Sequence, residues 1–233
     1  MKKALLISLW AIWMISLFWC TTKESSVKEI TAENEYVVDQ SDILTHDQII
    51  ADIPLSELNE EEKQWLIQMR EEEKLARDVY IALGQQRWVK TFSNIANSEQ
   101  THTDAIKDLL DRYQIEDPIK DDTYGIFTSP VLQNLYNTLI EQGKKSLLDA
   151  LIVGATIEDL DIKDLQELTK TTDNEDIILT YANLEKWSRN HLRAYVKQIQ
   201  KNNWSYIPQY ISQEEYNTII ASSQENGLKK NQQ

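Results

Sequence analysis

Glu99-Gln-Thr-His102 places a carboxylate and an imidazole one helical turn apart. Residues i and i+3 of a helix project from one face, so both side chains can reach a single ion. The flanking residues identify that face. Phe92, Ile95, Glu99, His102, Ile106, Leu109 and Tyr113 recur at alternating three- and four-residue intervals, the stripe that a helix turns toward a core. Burying a carboxylate and an imidazole in such a stripe is costly unless they pair with each other or bind a metal. A buried, hydrogen-bonded couple is the structural alternative to ligation.

Other helices must hold this pair in place. Asn59-Glu-Glu-Glu62 has the capping-box pattern, and it opens a helix with Leu66, Met69, Glu73, Ala76, Tyr80 and Leu83 on one stripe, ending near Gly84. The second helix spans about 91–113. Asp117-Pro118 and Tyr124-Gly125 break the periodicity. Ser129-Pro130, a cap residue followed by proline at the first helical position, starts a short helix to about 142. Ser146 with Asp149 starts a third long helix carrying Leu147, Leu151, Gly154, Glu158 and Leu165. Asp173 with Asp176 starts a fourth, carrying Ile177, Tyr181, Leu184, Ser188, His191 and Tyr195. Pro208 and Ser212-Gln-Glu-Glu215 precede a short terminal helix. No segment alternates in the manner of a strand. The pattern predicts an all-α four-helix bundle with one long crossover and short extra helices.

Each long helix then brings at least one candidate ligand to its apolar stripe: Glu73, Glu99 with His102, Glu158, and His191. Several carboxylates facing one core repel unless cations or protons neutralise them. Oxygen donors combined with imidazole suit iron or manganese, and also zinc. The bland readings are a helix-surface carboxylate for Glu158 and a satisfied core histidine for His191. Glu71 and Glu72 flank Glu73 and read as solvated or as supporting groups beside the ligands, and Tyr80, Tyr181 and Tyr195 read as packing residues.

Glu73-Lys-Leu-Ala76-Arg-Asp-Val-Tyr80 and Glu99-Gln-Thr-His102 resemble the first two helices of the ferritin-like di-iron carboxylate superfamily. More of the chain is similar to the bacterial family of uncharacterised ferritin-like proteins called DUF2202. The matching segments are Met69–Tyr80, Phe92-Ser-Asn-Ile-Ala, Ser98–His102, Ser188-Arg-Asn-His-Leu-Arg-Ala-Tyr195 and Pro208-Gln-Tyr-Ile-Ser212. The resemblance runs from about Leu55 to Ile220. It implies a ferritin-like bundle binding one or two iron ions, with manganese or zinc as alternatives. It also implies oxidation of Fe(II) by oxygen or peroxide in the manner of a ferroxidase or peroxidase. The fourth helix departs from the superfamily pattern, because Ser188-Arg-Asn-His191 stands where Glu-x-x-His is expected. Asp161, one turn beyond Glu158, can supply the missing charge, so the site is expected to be asymmetric or to hold one metal. The alternative function is a non-enzymatic envelope binding module whose metal site is structural or degenerate.

The chain has 5 glycines and 7 tryptophans, whereas average usage would give about 16 glycines. Trp65, Trp88, Trp187 and Trp204 sit where the resemblance implies glycine. Either they pack as ordinary aromatics, or the source organism reads UGA as glycine and these positions, with Trp19, are glycine in the native protein.

The first 19 residues read as an export signal, with Lys2 and Lys3 ahead of an apolar run from Ala4 to Phe18. Cys20 is the only cysteine. In Leu17-Phe-Trp-Cys20 it resembles the lipidated cysteine of bacterial lipoproteins, although Trp19 departs from that motif. An uncleaved anchor or plain secretion are the alternatives. A single cysteine excludes intramolecular disulfides and multi-cysteine zinc sites. Residues 20–54 read as a polar tether, 55–221 as the folded domain and 222–233 as a disordered tail. With 38 Asp+Glu against 24 Lys+Arg, the formal net charge is −14. Loss of the signal leaves about −16. That charge argues against nucleic acid as a partner. The expected partners are metal ions, oxygen or peroxide, a membrane reached through the lipid, and further copies of the chain.

Overall fold

A computed structural model describes His46 and residues 50–225. The export signal (1–19), Trp19, Cys20, most of the 20–54 arm and the end of the 222–233 tail lie outside the described residues. Six helices follow in order: α1 Glu60–Arg87, α2 Lys90–Arg112, α3 Pro130–Gly143, α4 Leu147–Thr169, α5 Glu175–Lys201 and α6 Gln213–Ala221. No strand occurs among the described residues, as the sequence pattern predicts. No helix among them is long and apolar enough to cross a membrane.

Local chemistry sets most helix starts. The Asn59 side chain accepts from the Glu61 and Glu62 amides, and the Glu62 carboxylate accepts from the Asn59 amide at 2.8 Å. Ser129, Ser146 and Ser212 accept from Leu132, Asp149 and Glu215. Each such cap contributes about 1 kcal/mol. The start of α5 differs from the expectation. Its N-cap is Asn174, with no side-chain cap, because the Asn174 amide donates to Glu62 at 2.8 Å instead. Asp176 is drawn into contacts with Arg112 (2.9 Å) and Tyr113 (2.8 Å). The end of α1 differs too. The helix runs past Gly84 to Arg87, and Trp88 turns the chain with φ 53° while its N–H bonds the Gly84 carbonyl. Gly84 serves close packing, since a Cβ there would lie 2.9 Å from the Cβ of Phe92.

Two antiparallel hairpins make the bundle. In the first, Arg77 reaches Gln100 (2.6 Å) and Arg70 reaches the Thr103 carbonyl (2.8 Å) from α1 to α2. In the second, Gln166 of α4 meets Glu185 of α5 at 3.0 Å. Arg112–Asp176 near one end and Gln198–Thr91 (3.2 Å) near the other tie α2 to α5. Helices α2 and α4 are therefore parallel, which requires the long connection through residues 113–146. That connection runs along α1. Asp117 pairs with Arg70, Asp122 with Arg77, the Thr123 and Ile126 carbonyls accept from Lys74, and the Gly125 amide donates to Asp78. Lys74, Arg77 and Asp78 are consequently buried.

One end of the core contains Leu66, Met69, Ile106, Leu109, Leu165 and Leu184. Ile50 joins this cluster, and His46 touches Asp108 (3.2 Å) and Thr180 (2.8 Å). Toward the other end, Tyr80, Phe92 and Tyr195 pack ring against ring at 5.3–6.4 Å. Beyond α6, Glu225 pairs with Arg189 and Arg193, so packed structure extends from Ile50 to Glu225.

Candidate metal centre

Between the aliphatic and aromatic ends, the four long helices meet at a polar layer. Helical phase brings Glu73 from α1, Glu99 and His102 from α2, Glu158 from α4 and His191 from α5 to that layer, each at most 3% exposed. His102 Nδ1 lies 2.9 Å from Glu99 Oε2 and 3.3 Å from Glu73 Oε2. His191 Nδ1 lies 2.9 Å from Glu99 Oε1 and 3.4 Å from Glu158 Oε2. The imidazoles stack at 5.5 Å between centroids, inclined by 23°. Glu99 thus presents one oxygen to each histidine.

These close approaches are not aligned as hydrogen bonds. Both nitrogens of His102 and His191, together with Glu73 Oε1 and Glu99 Oε1, are buried without a hydrogen-bond partner. Leaving so many polar atoms unsatisfied opposes the general rule for interiors. Donor atoms grouped around a site that could hold an ion would leave their hydrogen bonds unmade in this way. The donors fall into two sets, Glu73–Glu99–His102 and Glu99–Glu158–His191, each with one ligand atom per residue and all within 4.8 Å of one another. Two oxygens and one imidazole nitrogen per set, with further positions open, fit a first-row divalent ion.

Without metal, protons take over the neutralisation. Burial raises Glu73 to about 7 despite the opposing pull of His102, and burial also raises Glu158. Burial would raise Glu99 as well, but His102 and His191 hold it well below the usual carboxylate range. Burial disfavours a charged imidazole. The facing carboxylates win: Glu99 and Glu73 hold His102 well above its ordinary value, and Glu158 and Glu99 hold His191 near 9.

The structure brings together five of the six residues expected as ligands. Asp161 falls outside both sets and contacts the Ser188 hydroxyl instead. Glu71 and Glu72 are half-buried beside the layer. Tyr80, read from the sequence as packing, donates to Glu158 Oε1 at 2.6 Å and fixes that carboxylate. Only its place about two turns beyond Glu73, on the same stripe, gives a signal for that. Nothing in the local sequence pattern marks Asp159. Buried beside Glu158, it accepts from the Tyr206 hydroxyl (2.8 Å) and the amides of Gln209, Tyr210 and Ile211, clamping the segment after α5 over α4. Of the tryptophans in question, Trp88 is 90% exposed and left-handed. Trp65 is half-buried with its indole N–H unpartnered, and Trp187 and Trp204 are half-buried.

Residues 62–223 match the uncharacterized protein domain DUF2202. An uncharacterized protein of Methanocaldococcus jannaschii, MJ0754, is 54% identical over 181 residues, covering 78% of this chain and 98% of that protein. The crystal structure of hypothetical protein MJ0754 superposes with a TM-score of 0.73 at 55% identity, over 75% of this chain and 99% of that one. Domain match, sequence identity and shared fold agree, and the chain belongs to the DUF2202 family.

Proposed function

We propose that this protein is a ferritin-like metalloprotein holding two divalent ions, iron in the first instance, for oxidation of Fe(II) or disposal of oxygen or peroxide. The observation that carries this reading is the pair of three-residue donor sets sharing Glu99, in which both imidazoles and one oxygen each of Glu73 and Glu99 are buried without a hydrogen-bond partner. Four long helices with one crossover, and a Glu, Glu-x-x-His, Glu, His order along them, support the ferritin-like assignment. Bound in this layer, iron supplies reversible electron transfer and open coordination positions for oxygen or peroxide. Glu99 spans the two sets and fixes their separation. His102 and His191 supply one nitrogen to each side, and Glu73 and Glu158 close the outer flanks. Tyr80 orients Glu158. The aliphatic cluster on one side and the Tyr80–Phe92–Tyr195 cluster on the other keep bulk water from the layer. Export and a lipid anchor at Cys20 would place this chemistry at the cell envelope.

An anaerobic Fe(II) titration followed by admission of oxygen tests the proposal. Saturation near two ions per chain, then a ferric absorbance that Glu99→Ala abolishes, is expected. Binding that raises stability without any response to oxygen would make the metal structural and the protein a binding module. No binding would overturn the metal reading.

A further inference from the structure

Helix α5 offers a hydroxyl, Ser188, one turn before His191, where it meets Asp161 of α4. Ser188 is fully buried, and its Oγ lies within hydrogen-bond reach of two acceptors, Asp161 Oδ2 and the Leu184 carbonyl at 3.0 Å. The Leu184 carbonyl remains a partner for the Ser188 hydroxyl when Asp161 moves away. Asp161 lies on α4 one turn beyond Glu158, on the same face. The charges acting on it most strongly are Glu73 and then Glu158, with Glu99 behind them. Asp161 contacts Ser188, which lies one turn before His191 on α5, so this pair borders the layer one turn away from the Glu158–His191 contact. Glu73 Oε1 is buried and without a partner. Among the described ion pairs none includes Asp161, and it is the one carboxylate of the group that is partly exposed. Charge agrees with placement. Two divalent ions among Glu73, Glu99 and Glu158 leave one positive charge uncompensated in a buried layer, and a fourth carboxylate cancels it.

We propose that Asp161 is the fourth carboxylate of the centre, delivered from α4 in place of one on α5, and that Ser188 parks it when the centre is empty. This rests on the two-ion reading above. Ser188 is a positioning residue: a neutral hydroxyl holds Asp161 weakly enough to release it and closely enough to aim it. The partial exposure of Asp161 makes it the ligand nearest solvent, where ions enter and leave.

Co(II) binding to the full chain, followed by equilibrium dialysis and by the intensity of the visible ligand-field absorption, tests the proposal without requiring catalysis. Asp161→Asn keeps the shape and the contact with Ser188 but removes the charge. The wild type is expected to bind two ions, and Asp161→Asn to hold the first unchanged and the second about tenfold or more weaker, with an altered visible spectrum. Ser188→Ala is expected to retain two ions, since it removes only the parking contact. Equal loss in both variants would make the pair a structural hydrogen bond and overturn the proposal. Two ions bound with unchanged affinity by Asp161→Asn would overturn it while leaving the two-ion reading intact. No Co(II) bound by the wild type would overturn both. Helical circular dichroism of each variant separates lost ligation from lost folding.

Discussion

The metal-free protein should be most stable in mild acid and should lose stability as the pH rises from about 5 to about 9. His191 holds its proton in the fold to about pH 9, against about 6.5 in an unfolded chain. Its contribution is complete below pH 6.5 and disappears as the pH climbs through 9, a change on the order of 3 kcal/mol. Glu73 works in the same direction. Raised to about 7, it is harder to ionise in the fold, so a penalty of similar size grows between about pH 4.5 and 7 and then stays constant. The two groups titrate as one cluster with Glu99 and His102, and their effects do not add in full. Below about pH 4.5 the sign reverses, because Glu99 is held low and its protonation removes the partner of two imidazoles. A net loss of about 3 kcal/mol in a domain of this size lowers Tm by roughly 6–12 °C between about pH 5.5 and 9. Thermal unfolding of chelator-treated protein across this range measures it. Saturating divalent metal should flatten or invert the trend, since the ions replace the protons. A metal-free Tm that is constant or rises toward pH 9 would refute the electrostatic description of the layer.

Further outcomes follow from this layer and from other parts of the molecule. Metal binding at pH 7 should release about two or more protons per chain, chiefly from His102 and His191, and unbuffered titration with a pH electrode reads this directly. Trp88→Gly should raise stability by about 1 kcal/mol, because the residue is left-handed and its ring packs on almost nothing; equal or lower stability in denaturant melts would refute this. Intact mass of the protein from its native source decides whether Trp88 and the other four positions are glycine there. Asp159→Ala should cost about 3 kcal/mol or more by orphaning three amides and the Tyr206 hydroxyl. It should also expose residues 204–212 to protease, and unchanged resistance would show that the clamp carries no weight.

Residues on a single helical stripe were legible from sequence. Leu66, Met69, Glu73, Ala76, Tyr80 and Leu83 share a phase and are all buried, as are Ile177, Tyr181, Leu184, Ser188, His191 and Tyr195 on α5. That periodicity turns Glu73, Glu99, His102, Glu158 and His191 toward one core, the distances add that they share one layer, and Asn59, Ser129, Ser146 and Ser212 cap as their neighbours imply. What escaped depends on contacts distant in sequence. Lys74, Arg77 and Asp78 lie off the α1 stripe, and only the returning crossover buries them. Asp159 follows Glu158 and points to the opposite side, where a segment about 50 residues later closes over it. Asn174 fails as a side-chain cap because Glu62, over a hundred residues earlier, claims its amide. Local pattern carries no record of these partners.

The most direct test of the two-ion centre is a crystal structure of metal-loaded protein with anomalous scattering recorded at the iron or manganese edge. Two peaks flanking the Glu99 carboxylate are predicted, one beside Glu73 and His102 and the other beside Glu158 and His191. A layer with no peak, or ions found only elsewhere on the molecule, would contradict the account.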